Sequence, residues 1–441
     1  MQSCLSAPKR SRVKVGSMKR NILPVLALLF GTLFLFTGNG LHSLLLPVRG
    51  TAEGYATTTL GLLGTTWATG FVLGCLTAPK LVRRIGHVRA FSGFISVIAI
   101  IALLTGIIVD PIWWVALRAV TGFCTAGTSM IIESWLNERA TNESRGAIFS
   151  LYIGITLIGA VAGQMMVPFA DVHTPILFMV CGICYCIAML PTTLSTAASP
   201  QPLKAVSLDL KALYRNSPVA SIGILLVGIA NGAYGTLGAV FGAKAGLSQS
   251  DIALMMSSTI FAGAVMQLPA GRLSDRIDRR YVLAGMAAIA ALDGLLLFLL
   301  KPGSPAFLIS MVVIYGAVAN TLYPIAVAHA NDFAAPEDFV KVSGGLLLLY
   351  GIGTIIGPTL SGPVMSSIGP YSLFFVTAIA HVLITSYSIF RSRMRAAKPA
   401  GDRDAYTTMP SANAQMITPE SMALARSETS KKDDITVDYG T

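Results

Sequence analysis

The chain has 441 residues, 54% of them hydrophobic and only 12% charged, with a formal net charge of +11 and a mean hydropathy of +0.68. A soluble globular domain carries roughly 25% charged residues, so the composition excludes one. It also excludes a nucleic-acid binder, because the basic residues form no patch interleaved with aromatics.

Residues 1–21 are expected to form a basic cytoplasmic leader, with Met18-Lys19-Arg20 open as an alternative start of translation. A charged start before an apolar stretch imitates a signal peptide, but the stretch after Arg20 is too long and lacks a small-residue cleavage site. Twelve apolar runs are long enough to cross a bilayer as helices, at 22–46, 56–77, 90–109, 112–133, 146–170, 175–194, 219–241, 250–270, 281–300, 304–328, 342–367 and 371–390. Six lie in an N-terminal bundle (22–194) and six in a C-terminal bundle (219–392). A cytoplasmic linker (195–218) joins them, and a tail (393–441) rich in Ser, Thr, Asp and Lys is expected to be disordered in the cytoplasm.

The two halves repeat one another. Asn39-Gly40 returns as Asn231-Gly232, and Leu151-Tyr152, Thr156 and Ile158-Gly159 return as Leu349-Tyr350, Thr354 and Ile356-Gly357. Duplication predicts an all-α membrane protein of 12 transmembrane helices, in two six-helix bundles related by a pseudo-twofold axis along the membrane normal. Such bundles enclose a cavity that opens to either side.

Lys and Arg in short loops are retained in the cytoplasm. Counting loops alternately, one set, with the N-terminus and the first ten residues of the tail, holds 24 Lys and Arg, and the other holds only Arg49, Lys244 and Lys301. Both termini of this multi-pass protein are therefore expected in the cytoplasm.

Within the spans, Arg118 lies seven residues into the fourth. An arginine there costs roughly 2.5–3.5 kcal/mol even on gentle insertion scales, so it either faces an aqueous cavity, has a partner, or snorkels to the near interface. Glu133 is about 22 Å further along the same helix at 1.5 Å per residue, too far for a direct ion pair. Cys181, Cys184 and Cys186 contain a C-x-x-C spacing but sit inside the sixth span without a second pair or His ligands, so they read as small apolar residues and no metal site is expected. Gly351-x-Gly353 lies in an apolar helix and no P-loop occurs, so no cofactor or nucleotide is expected.

Gly271-Arg272-Leu273-Ser274-Asp275-Arg276-Ile277-Asp278-Arg279-Arg280 resembles the G-x-L-x-D-R-x-G-R-R signature of the major facilitator superfamily, with Asp278 in place of a glycine. A degenerate copy runs from Pro79 to Arg89, with Arg83 where the aspartate belongs. The Glu133-Ser134-Trp135-Leu136-Asn137-Glu138 segment further resembles the YcaD-like branch of bacterial members. The resemblance implies a non-enzymatic transporter with a latch on the cytoplasmic side, where the Asp275 carboxylate meets the exposed amides of the fifth helix near 144–146, an interaction of roughly 0.3–2 kcal/mol. Arg84, Glu138, Glu143, Arg145, Arg276 and Arg280 complete this gate, with Glu138 and Glu143 as partners for the arginines. Arg118-x-x-x-Gly122-x-x-x-Ala126 resembles the fourth-helix motif associated with proton coupling, and Arg118 and Glu133 are the coupling candidates. Gly357-Pro358-Thr359-Leu360-Ser361-Gly362 resembles an antiporter motif, displaced from the fifth to the eleventh helix.

By the same resemblance, Asn39, Trp67, Tyr152, Asn231, Tyr234, Gln267, Asn320, Tyr323 and Tyr350 are candidates to line the substrate cavity. Their mostly neutral chemistry suits a small neutral, weakly charged or amphipathic organic solute, and each also fits an interhelical hydrogen-bonding role. Asp293, on a peripheral helix, reads as structural, and His329 and His381, placed near cytoplasmic ends, would titrate near neutral pH. The resemblance implies a monomeric secondary transporter in the lipid bilayer of the bacterial inner membrane, working by alternating access, coupled to protons and favouring export. Uptake carrier, facilitator, and a non-transporting sensor or assembly factor stay open as alternatives.

Overall fold

The computed structural model describes residues 15–140, 144–193, 210–334 and 339–394, together with 396, 398, 399 and 406. Among these residues there are 12 helices long and apolar enough to cross a membrane. They are α1 (Val15–Ala52), α2 (Thr57–Ile85), α3 (His87–Ile107), α4 (Pro111–Arg139), α5 (Arg145–Gln164) and α6 (Ile176–Thr193), followed by α7 (Pro218–Lys244), α8 (Gln249–Arg276), α9 (Arg279–Leu300), α10 (Pro305–Asp332), α11 (Phe339–Ile368) and α12 (Ser372–Met394). A short helix, Leu210–Asn216, occupies part of the stretch read as a linker. An even number of crossings puts the start of α1 and the end of α12 on one face, here called the basic face.

The helix ends are set by local chemistry. Asp110 accepts hydrogen bonds from the amides of Ile112 and Trp113 at 2.9 and 3.1 Å, and Pro111 takes the first position of α4, where no amide is needed. Ser248 and Asp251 close a reciprocal capping box on α8. Between α2 and α3 the chain turns on Gly86 alone, at φ 88°, a conformation that a side chain would strain. Positions 80–85 and 272–276, expected as loops, instead finish α2 and α8. Basic residues complement the negative end of a helix dipole and prolong it past the apolar segment.

Packing repeats between the halves. Gly40 and Gly163 of α1 and α5 bring those backbones together, and Gly232 and Gly357 do the same for α7 and α11. Gly122 of α4 rests on the Trp67 carbonyl of α2, and 194 residues later Gly316 of α10 rests on Thr259 of α8. Without a hydrophobic drive between helices in lipid, such close approach is what holds a membrane bundle together. α10 is broken at Asn320 and Thr321. Pro324 lacks the amide that would have bonded the Asn320 carbonyl, and the Thr321 hydroxyl turns back to the Val318 carbonyl at 2.7 Å.

Candidate functional site

The halves touch toward the face opposite the basic one. The Thr65 and Thr359 hydroxyls of α2 and α11 are 2.9 Å apart, a Cβ on Gly61 would stand 2.8 Å from the Pro358 carbonyl, and the Ser257 hydroxyl of α8 lies 3.3 Å from the Met165 sulfur just past α5. One turn or two nearer the basic face, an aromatic cluster bridges the halves. Trp67 stacks on Phe71 at 5.1 Å and 21°, Tyr323 meets Tyr350 edge-on at 4.9 Å, and all four share one apolar cluster. Asn231 lies beside the Tyr350 hydroxyl, and Gln267, 2% exposed, lies further along α8.

Arg118 places its guanidinium carbon 5.7 Å from the centre of the Trp67 ring. Its Nε is buried without a hydrogen-bond partner, and no carboxylate among the described residues pairs with it. The ring face is the compensation available to such a cation. The position matching Arg118 at the 194-residue offset is Val312, fully buried, so the cation belongs to one half only.

The other candidates lie inside a half. Tyr185 of α6 donates to Asn39 at 2.9 Å, Tyr152 donates to Glu133 at 3.0 Å, and the hydroxyls of Tyr234 and Thr259 are 3.1 Å apart. The Asn320 amide reaches the Thr259 carbonyl at 3.5 Å. Glu133 is fully buried and remote from Arg118, as its place on α4 requires. Sequence reading passed over His42, whose two ring nitrogens are buried without partners, and Tyr185. His42 was legible as the residue one turn beyond Asn39, whereas Tyr185 sits in a run of cysteines on a peripheral helix and gave no signal. His381 is not near the end of α12 but well inside it, fully buried and 5.6 Å from the Tyr315 ring. Asp293 is buried with one carboxylate oxygen unpartnered.

At the basic face, Asp275 does not meet α5 in this conformation. It lies 3.4 Å from Arg279 and accepts the Tyr406 amide at 3.0 Å. Arg279 in turn is buried against Asp332 at 2.9 Å. Arg280 pairs with Asp278 at 2.6 Å and not with Glu138, because Asp278, two residues away, already caps α9 and needs no chain movement to reach it. Burial pushes the Asp278 carboxyl up, but the hydrogen bonds and charge of Arg280 outweigh it and hold it below its ordinary value. Arg84, Glu138 and Arg276 are exposed, while Glu143 and the side chain of Arg145 lie outside the described residues.

Twelve membrane-length helices among the described residues, in two repeat-related bundles that meet around a neutral aromatic cluster beside Arg118, have the architecture of a multi-pass membrane transporter of a small-molecule substrate. The chain belongs to the Major Facilitator Superfamily, whose profile matches residues 28–249 and 220–427. It is 28% identical over 359 residues to the uncharacterized MFS-type transporter YcaD of Escherichia fergusonii, covering 80% of this chain and 92% of the relative. Over 357 residues it is 28% identical to the uncharacterized MFS-type transporter Ent638_1421 of Enterobacter sp., with the same coverage. Among solved structures, the nucleoside transporter NupG superposes with a TM-score of 0.70 at 15% identity, covering 83% of this chain and 98% of that one. A bacterial homolog of the human lysosomal transporter Spinster, inward-facing and occupied, superposes at 0.67 and 16%, covering 87% and 98%. These likenesses establish the fold.

Proposed function

We propose that the protein is a monomeric secondary active transporter that moves a small organic solute across the bacterial inner membrane by alternating access, coupled to protons and favouring export. The excess of Lys and Arg in one set of loops supports a cytoplasmic basic face. On that reading, the conformation described is closed to the outside. The observation that carries the proposal is Arg118, a cation held at membrane depth by an indole face and no carboxylate. A charge so placed functions where its surroundings change, as when a solute or proton arrives. Phenols, amides and hydroxyls around it favour a neutral, weakly charged or amphipathic solute, and export is only slightly favoured over uptake, because the antiporter-like Gly357-Pro358 stretch lies in α11 and not in the fifth helix.

Untargeted comparison of metabolites in and around cells with and without the protein names the solute. Collapsing the proton gradient should then raise the level of that solute inside cells, where an uptake carrier would lower it. Arg118→Gln, present at equal amount in the membrane, should abolish the difference. Full flux in that variant removes Arg118 from coupling, and no difference in any metabolite favours a sensor.

A further inference from the structure

We propose that the basic-face end of α8, from Gln267 to Asp275, is a docking site for the chain's own C-terminal tail, which seats the phenol of Tyr406 in the mouth between the halves and holds the opposite face closed. Gln267, Gly271 and Asp275 are spaced four residues apart and so form one stripe along the helix. Tyr406 engages all three. Its amide donates to Asp275 at 3.0 Å, its hydroxyl donates to Gln267 at 3.5 Å, and its ring lies against Gly271, where any Cβ would run into it.

Two further contacts make this more than a chance approach. Lys398 donates to the Asp332 carbonyl at 2.6 Å, tying the tail to the end of α10. Tyr406 also packs against the cluster that holds Trp67 and Phe71 of one half with Ala270, Tyr323 and Tyr350 of the other. Seated against a cluster drawn from both halves, its ring fills space that the halves would need in order to close on that side, and so favours contact on the far side. Burial raises the Tyr406 hydroxyl above its usual range, so it stays a neutral donor throughout the physiological range. The tail also occupies Asp275, the carboxylate that a conformer closed on the basic face would need for its latch. The docked tail therefore opposes that conformer twice, by filling the mouth and by taking its acceptor.

The proposal rests on the alternating-access reading, and its tests do not need the solute. With Tyr406 replaced by the photoreactive and still aromatic p-azidophenylalanine, illumination should cross-link the tail to α8 beside Gly271, as peptide mapping reads. Illumination that consumes the azide and yields no cross-link to α8 overturns docking. Separately, a lone Thr65→Cys at the opposite-face contact should react with a water-soluble maleimide about threefold faster, as a modest population shift requires, once Tyr406→Ala is added. Tyr406→Phe, which keeps the ring, should give less than that. Unchanged labelling of Thr65→Cys together with a photo-cross-link to α8 overturns the inhibitory role while leaving the docked tail. A Thr65→Cys site that never reacts, with or without Tyr406→Ala, in a protein whose tail does cross-link, counts against alternating access itself.

Discussion

A guanidinium in the hydrocarbon layer persists only where something replaces its hydration, and at Arg118 that is the face of Trp67, with Nε left over. Lysine keeps the charge but not the planar group that lies over an indole. Arg118→Lys is therefore predicted to lose gradient-driven flux nearly as far as Arg118→Gln; flux at the original level with lysine would mean that charge alone matters. Glu133 and Tyr152 show the opposite economy, a fully buried carboxylate supplied with a donor at 3.0 Å. Tyr152→Phe should lower stability by about 1–3 kcal/mol, the cost of leaving a buried acceptor short, read as a lower Tm in detergent. At the membrane surface, Asp278 has a folded pKa depressed below 3.8 by Arg280 despite its burial. Its contribution is thus complete above 3.8 and fades as pH falls through the lower folded value. The Tm advantage of the unmodified protein over Asp278→Asn should shrink on acidification, and an advantage constant with pH would show that Asp278 acts through its cap alone.

Between helices, close approach at glycine replaces the hydrophobic drive that water would provide. Gly122 faces the Trp67 carbonyl with no room for a Cβ, whereas Gly93 of α3 has nothing within 4 Å. Gly122→Ala should push α2 from α4, displace Trp67 beneath Arg118 and lower both Tm and flux, while Gly93→Ala leaves both unchanged; equal effects at the two sites would dismiss close approach as the cause. The twelve spans and their pairing into halves were legible because bilayer thickness imposes a length and duplication imposes a spacing. Helix ends were less so, since Lys80, Arg83 and Arg84 read as a loop by charge yet prolong α2. The site was legible only in part. Trp67, Tyr323 and Tyr350 do share the bridging cluster, but Asn39 turns to Tyr185 and Tyr152 to Glu133. Periodicity says which helix bears a polar residue, and the rotation of that helix against its neighbours decides what the residue meets.

For the molecule as a whole, the two halves share a backbone plan and differ in charge, with Arg118 answered by Val312 and the signature aspartate, Asp275, by Arg83. On the proposed alternating-access reading, the halves of such a duplicated scaffold rock against one another, and unequal charge would give the two end states different free energies for a bound solute or proton to shift. The state described closes through α2 and α11, where Thr65 and Thr359 meet at 2.9 Å and Gly61 lies under Pro358. Small residues make that contact close, and hydroxyls as exposed as these bind weakly, about 0.5–1.5 kcal/mol for a typical hydrogen bond. Such a contact is weak enough to break in each turn of the proposed cycle. Thr65→Cys with Thr359→Cys, in a background without native cysteines, should therefore form a disulfide readily, stop flux while oxidised and regain it on reduction. Flux that continues with the disulfide in place would mean that the opposite face does not open along α2 and α11, and rocking about this contact would no longer describe the transport cycle.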